Sequence, residues 1–202
     1  MIRVILQPEP AGFDATVRVP GNQFLAQNPA ASRRQIKRAG ADYWRLCLPQ
    51  LQAAYGEICA YSAVWIPSSA SVDHFQPRSR FHALAYEWSN FRLSDQKINH
   101  RKDDHIGVQD PFEVQPGWFV IDFATFYVRC GDGLQPDDEN RVLYTISLLQ
   151  LNDDQLVEQR RKVVEEYGRG APLEDVERYY PFIALELKRQ NLTEAIKLRF
   201  QP

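Results

Sequence analysis

The chain has 202 residues, of which 44% are hydrophobic, 25% charged and 12% aromatic, and this composition is typical of a globular protein with a buried core, not of a disordered or coiled-coil chain. Purely apolar stretches reach about four residues, far fewer than the roughly 20 that a membrane-spanning helix needs. The formal charge is +3 over residues 1–72, +3 over residues 73–102 and −8 over residues 103–202, which is compatible with a polyanion site built from the first half.

The N-terminal segments combine two strand-like patterns with helical ones. Residues 2–6 and 15–19 are short, rich in β-branched residues and bounded by proline or glycine, and they predict a small N-terminal β element. A helix start follows at Asn28, and this helix carries a basic face formed by Arg33, Arg34, Lys37 and Arg38. The helical pattern over residues 42–55 is expected to divide at Pro49, which lacks an amide proton.

The central segment, residues 57–102, has little regular periodicity and concentrates the polar residues that are typical of a catalytic site. Asp73 and His74 are adjacent, Asn90 follows in an aromatic context, and Asn99 lies nine residues later. If Asp73 and His74 lie on a strand, their side chains point to opposite faces unless the backbone bends. A bulge or turn is therefore expected at this point.

Strands and helices are predicted for the remainder of the chain. Residues 117–129 are rich in aromatic and β-branched residues, as strands are. Beyond them, apolar residues recur at helical spacing in two segments: Val142, Ile146 and Leu149, then Leu156, Val163 and Tyr167. The fold class is predicted to be α+β, with an N-terminal flank at 1–56, a core at 57–103 and a β segment with C-terminal helices at 104–202, together one compact domain.

The residues Asp73, His74, Asn90 and Asn99, with Tyr86, Trp88 and Phe91 between them, resemble the HNH nuclease motif in an HNN variant. The resemblance implies a ββα-metal core embedded in helical flanks, and a role for Asn90 in stiffening the hairpin and orienting the catalytic His74. Residues 142–160 are similar to the C-terminal region of HNH subunits from Septu-type anti-phage systems. In those systems the nuclease works beside an ATPase, so the resemblance also implies an ATPase partner and a role in defence.

The chemistry of these side chains suits phosphodiester hydrolysis. A histidine such as His74 can take a proton from water near neutral pH. The oxygens of Asp73 and Asn99 suit a hard cation such as Mg2+ or Mn2+, and His100 is the alternative to Asn99 as a ligand. Four basic residues of the segment are predicted to contact phosphates: Arg78, Lys97, Arg101 and Lys102.

The sequence departs from the family at the structural zinc site that many HNH proteins hold with two Cys-x-x-Cys pairs. The corresponding positions here are Cys59 and Ser62, then Asp95 and Ile98. Because one thiol of four is present, a tetrahedral thiolate site cannot form. We expect no structural zinc, and apolar packing in its place.

The leading hypothesis is a metal-dependent DNA endonuclease, although the sequence does not distinguish DNA from RNA. The alternative is a degenerate HNH domain that binds nucleic acid or a protein and cuts nothing. A purely structural subunit that uses the acidic C-terminal helices fits either hypothesis. The three widely spaced cysteines favour reduced thiols, and residues 1–10 lack the apolar core of a secretory signal, so a cytoplasmic protein with no membrane partner is expected.

Overall fold

The computed structural model describes residues 1–200, and the chain forms two compact units. The first unit comprises residues 5–59 and 66–106, and the second comprises residues 1–4, 60–65 and the chain from 107 onward. Helices are combined with two small antiparallel sheets, which confirms the predicted α+β class. Within residues 1–200, no helix is long and apolar enough to cross a membrane.

The first unit is built around a two-stranded antiparallel sheet and the helix that follows it. Its elements are, in chain order, α1 (Val19–Gln27), α2 (Arg33–Arg38), α3 (Leu48–Ala54), β1 (Ala70–His74), β2 (Phe91–Asp95) and α4 (Gln96–Lys102). The strands pair in register from Ala70 opposite Asp95 to His74 opposite Phe91. Helix α4 begins directly after β2 and contacts both strands, so the order around the candidate site is strand, strand, helix.

Local sequence explains why α4 begins where it does. The Asp95 carboxylate accepts hydrogen bonds from the backbone N–H groups of Lys97 and Ile98, which is the arrangement of an N-cap. The connection from β1 to β2 contains short 3-10 turns at His82–Leu84 and Trp88–Asn90. Tyr86 and Trp88 of this connection are buried, and Phe13 packs edge-on against both Trp88 and Phe91.

The predicted N-terminal β element is wrong. Residues 2–6 form no strand, and residues 15–19 lie in a helical segment made of a π-helical turn at Asp14–Arg18 and α1. The hydroxyl of Thr16 donates to the carbonyl of Gly12, 2.9 Å away, as a side chain in a helix does. Val17 is fully buried. β-branched residues favour strands only when a partner strand is available, and here burial of one helical face decides the conformation.

The second unit follows the predicted pattern closely. Its elements are β3 (Phe119–Asp122), β4 (Tyr127–Cys130), α5 (Pro136–Leu148), α6 (Asp154–Gly168), α7 (Leu173–Tyr179), α8 (Pro181–Arg189) and α9 (Thr193–Arg199). The strands predicted within residues 117–129 are confirmed as an antiparallel pair. Val142 and Leu149 are fully buried, as the helical spacing predicted. Pro172 is the N-cap residue of α7.

Candidate active site

The candidate site is a cavity of about 1070 Å3 in the first unit. Asp73 and His74, the last two residues of β1, line this cavity, and Asn99 of α4 lines it as well. These residues come together because β1 pairs with β2 and α4 packs back onto both strands. The structure therefore brings the proposed base and both proposed metal ligands to one cavity.

The bulge expected at Asp73 and His74 is absent. Both residues remain in the regular register of β1 with β2, and the alternation of side chains along a strand sends them to different neighbours. Asp73 contacts Lys102 of α4. His74 packs between Trp44, at a ring distance of 4.8 Å, and Phe91, at 5.2 Å.

Asp73 and Lys102 form a buried ion pair. The Lys102 ammonium lies 3.1 Å from Asp73 Oδ1 and donates a second hydrogen bond to the carbonyl of His74, 2.8 Å away. The exposed fraction of the side chain is 0% for Lys102 and 2% for Asp73. A fully buried ammonium cannot approach a phosphate from solvent, so this position does not suit the phosphate contact that the sequence predicted for Lys102. Instead, Lys102 fixes both the carboxylate and the end of β1.

The protonation state of His74 follows from its contacts. Its Nε2 lies 2.8 Å from the carbonyl oxygen of Ala85. A carbonyl oxygen only accepts, so Nε2 carries the proton in the neutral ring and Nδ1 is the nitrogen that can take one up. Burial lowers the pKa of His74 to about 3, and the positive charges of Arg78 and Lys102 act in the same direction. The imidazole is therefore neutral at pH 7.

Asn99 offers an oxygen to the cavity. Its amide nitrogen donates to Ser71 Oγ at 2.9 Å and to the carbonyl of Val72 at 3.1 Å. Both N–H groups are thus used, and the capacity that is left to the side chain is that of its carbonyl oxygen. A carboxylate and an amide oxygen form a hard donor set, which fits Mg2+ or Mn2+ with further oxygens from water or phosphate. Among residues 1–200, no group of three or more His, Cys, Asp or Glu side chains is arranged to hold a metal ion.

Asn90 lies outside the cavity wall and holds the loops next to the site. Its Oδ1 accepts from the backbone N–H of Gln76 at 2.8 Å, and its Nδ2 donates to the carbonyls of Gln76 and Leu84, each at 3.0 Å. These bonds connect the loop after β1 to the segment before β2. The side chain is buried and does not line the cavity. Asn90 is thus placed to hold the loops, while the carbonyl of Ala85 orients the His74 ring.

The two faces of α4 explain the positions of the other predicted residues. Gln96, Asn99, His100 and Asp103 line the cavity and follow the spacing of one helical face. Lys97 and Arg101 are four residues apart, so they share a different face, and neither lines the cavity. His100, the alternative ligand, is exposed within the cavity wall. Helical spacing counted from Asn99 along the sequence would have distinguished the residues that line the cavity from Lys97 and Arg101.

Basic residues from other elements complete the cavity wall. Arg33 and Lys37 of α2 line it, as does Arg78 from the loop after β1. Arg45 lines it as well, and sequence reasoning missed this residue because no motif surrounds it. It lies in a 3-10 turn, Tyr43–Cys47, where a continuous helix was predicted up to Pro49.

The positions that correspond to the zinc site of HNH proteins make hydrogen bonds and apolar contacts. Cys59 is fully buried, and its Sγ accepts the backbone N–H of Asp95 at 3.4 Å. Ile98 of α4 is buried, and Asp95 caps that helix. Hydrogen bonding and apolar burial therefore hold the region in which thiolates would bind zinc.

No protein-family model matches this chain, and no curated protein matches it. The chemistry of the cavity therefore follows from its own residues. It combines a neutral histidine, two oxygen donors and several cationic side chains, and this combination suits a phosphate-bearing substrate.

Proposed function

We propose that the chain is a metal-dependent endonuclease with an HNH-type core that hydrolyses phosphodiester bonds in DNA. The observation that carries the proposal is the convergence of Asp73, His74 and Asn99 on one cavity that is also lined by cationic side chains from three other segments. Phosphodiester hydrolysis needs a base for the water, oxygen ligands for a cation and donors that hold the phosphate. The cavity offers all three.

His74 is the group that takes the proton from the attacking water. Its Nδ1 has the free lone pair, since Nε2 is held by the carbonyl of Ala85. Burial and the charge of Arg78 disfavour an imidazolium at this position. A phosphate that enters the cavity brings negative charge beside Arg78, which offsets this effect and raises the basicity of His74 when substrate is present.

Asp73 and Asn99 would hold the cation, Mg2+ or Mn2+, which would neutralise the charge that develops on the phosphate. The contact with Lys102 holds Asp73 in place before any cation binds. His100 is the alternative to Asn99, because both line the cavity. The proposal extends to an ATPase partner and to a role in anti-phage defence, because the resemblance to Septu-type subunits implies both.

The buried ion pair between Lys102 and Asp73 favours a second candidate function. Lys102 already neutralises the carboxylate of Asp73 inside the core, and His74 is only 6% exposed. A domain that has lost catalysis but retains the arginines of the cavity would bind nucleic acid or a protein without cutting it. The two candidates differ in whether the chain cleaves nucleic acid. The first candidate also requires that cleavage depend on His74.

The test is nicking of supercoiled plasmid by the full chain in Mg2+ or Mn2+. We expect EDTA to abolish nicking and His74→Ala to lower the rate by roughly 10²- to 10⁴-fold, the usual contribution of a general base. His105→Ala is the matched control, because His105 is exposed and does not line the cavity. Equal rates for the two variants would exclude His74 as the base. Binding without nicking by the unmodified chain would favour the second candidate.

A further inference from the structure

Arg78 is held in the cavity by an aromatic platform. Its guanidinium lies 4.8 Å from the centre of the Trp44 ring, and the centres of the Trp44 and His74 rings are 4.8 Å apart in a T-shaped arrangement. Trp44 is buried, so the platform is fixed. A guanidinium that stacks by its face keeps its N–H donors in the plane of the group, where they are available to a ligand.

The guanidinium of Arg78 has no carboxylate within ion-pair distance among residues 1–200. Burial is the largest cause that lowers its pKa, and the positive charge of Arg33 is the next. Arg45 adds to this effect, whereas Tyr86 and Asp103 oppose it. Arg33 and Arg45 therefore place like charge near the half-buried Arg78, in a cavity that Asp42, Asp103 and Asp104 also line. An anion bound beside Arg78 would relieve the repulsion between the arginines.

Arg33 and Arg45 reach the same cavity from two other elements. Each side chain contacts one acid: Arg33 lies 3.4 Å from Asp103, and Arg45 lies 2.8 Å from Asp42. The exposed fraction of the two arginine side chains is 76% and 69%. Exposed ion pairs of this kind contribute little free energy, so both arginines can turn to an anion at small cost.

We propose that Arg33, Arg45 and Arg78 form a phosphate subsite that holds a backbone phosphate next to the one that is cut. The assignment to a nucleic-acid strand rests on the proposed function, whereas the affinity for phosphate does not. The indole of Trp44 contacts both Arg78 and His74, which places the subsite beside the base. Arginine suits this role because its planar fork of donors matches the oxygens of a phosphate.

The test is binding of a fluorescein-labelled DNA duplex to the full chain, measured by anisotropy over a range of salt concentrations in EDTA so that nothing is cut. We expect Arg33→Gln, Arg45→Gln and Arg78→Gln each to weaken binding and to reduce the log-log salt slope by about 0.9, the value for one phosphate contact. Arg34→Gln is the matched control, because Arg34 is the neighbour of Arg33 in α2 but does not line the cavity. We expect its slope to equal that of the unmodified chain.

Equal slopes for Arg34→Gln and for the three cavity variants would overturn the subsite. Arg45 is exposed, so its variant gives a valid result even if Arg78→Gln disturbs the fold. Inorganic phosphate is added in a separate competition: displacement of the duplex at low millimolar phosphate would overturn the assignment to a strand. Loss of binding in the three variants with nicking unaffected by His74→Ala would support the subsite and reject the proposed nuclease. Loss of nicking in His74→Ala, with unchanged DNA binding by the three cavity variants, would support the proposed nuclease and reject the subsite.

Discussion

At the scale of single residues, the most consequential contact is the one between Asp73 and Lys102. Both side chains are almost completely buried, so each charged group needs polar partners in place of the water molecules it has lost. Lys102 does so through Asp73 and through the carbonyl of His74. The ammonium thereby connects α4 to the end of β1, where the proposed metal ligand Asp73 and the proposed base His74 lie.

Removal of this ammonium should destabilise the fold strongly. We expect Lys102→Met, which retains the length of the side chain but not its charge, to lower the free energy of unfolding by about 3–5 kcal/mol, because it removes the buried ammonium that pairs with the carboxylate of Asp73. Urea denaturation measures this change. Lys97→Met is the control on the same helix; Lys97 is exposed, so a change within about 0.5 kcal/mol is expected. A similar small change for Lys102→Met would show that the pair contributes little.

The buried imidazole of His74 should make stability depend on pH. Its pKa is about 3 in the folded chain, against 6.5 as the ordinary value, so the unfolded chain binds more protons between these limits. The stabilisation is fully present above about pH 6.5 and is lost as the pH falls towards 3.

We expect the free energy of unfolding to fall between pH 7 and pH 5 by about 2 kcal/mol more in the unmodified chain than in His74→Gln. Urea denaturation of both proteins in EDTA at the two pH values measures the difference. The variant serves as the control for all other titrating groups, since it differs only at residue 74. Parallel changes in the two proteins would contradict a buried neutral imidazole.

At the scale of elements, α4 is the helix that organises the site. It carries Asn99 and Lys102, and its first turn is held by the carboxylate of Asp95. The same carboxylate accepts the hydroxyl of Ser69, next to β1. The cap therefore fixes the helix relative to the strand that bears Asp73 and His74.

Loss of this cap should weaken the whole arrangement by a modest amount. We expect Asp95→Ala to lower the free energy of unfolding by about 1 kcal/mol, the usual value for an N-cap. Asp95→Asn should retain most of the stability, because asparagine caps helices nearly as well. Thermal unfolding followed by circular dichroism compares the two variants. Equal losses would indicate that the charge of Asp95, and not its capping bonds, stabilises the helix.

At the scale of the whole molecule, charge is divided between the two units. The unit that contains the cavity has a formal charge of +3, and the other has −5. In α6 of the acidic unit, Glu158 and Glu165 both pair with Arg161 of the same helix. Part of the acidic surface is thus neutralised locally, whereas Glu166 is exposed.

If the acidic unit binds the proposed ATPase, reversal of an exposed charge should release that partner. We expect Glu166→Lys to reduce co-purification of ATP-hydrolysing activity from the native host while the affinity for duplex DNA stays unchanged, because the cavity belongs to the other unit. Glu194→Lys on α9 is a control with a similar change of charge. Equal recovery of ATPase activity with both variants, or none with the unmodified chain, would argue against this surface.

Local pattern was sufficient for much of the fold. The strands within 117–129 and the helices α5 and α6 follow from periodicity and turn residues, since each depends on neighbours in sequence. The grouping of Asp73, His74 and Asn99 was also anticipated, because motif spacing reflects how β1, β2 and α4 must follow one another. Their chemical roles stay predictions until activity is measured.

Long-range packing determined the features of the fold and of the site that local pattern did not predict. Residues 15–19 became helical because burial of Val17 outweighed the preference of β-branched residues for strands. Lys102 became an internal counter-ion, and Lys97 turned to another face of α4, since a helix distributes adjacent cations around its axis. The arginines of the cavity, Arg33, Arg45 and Arg78, are distant in sequence and meet through tertiary contacts. Composition and spacing indicate which groups a chain possesses, but burial and packing determine which of them share a site.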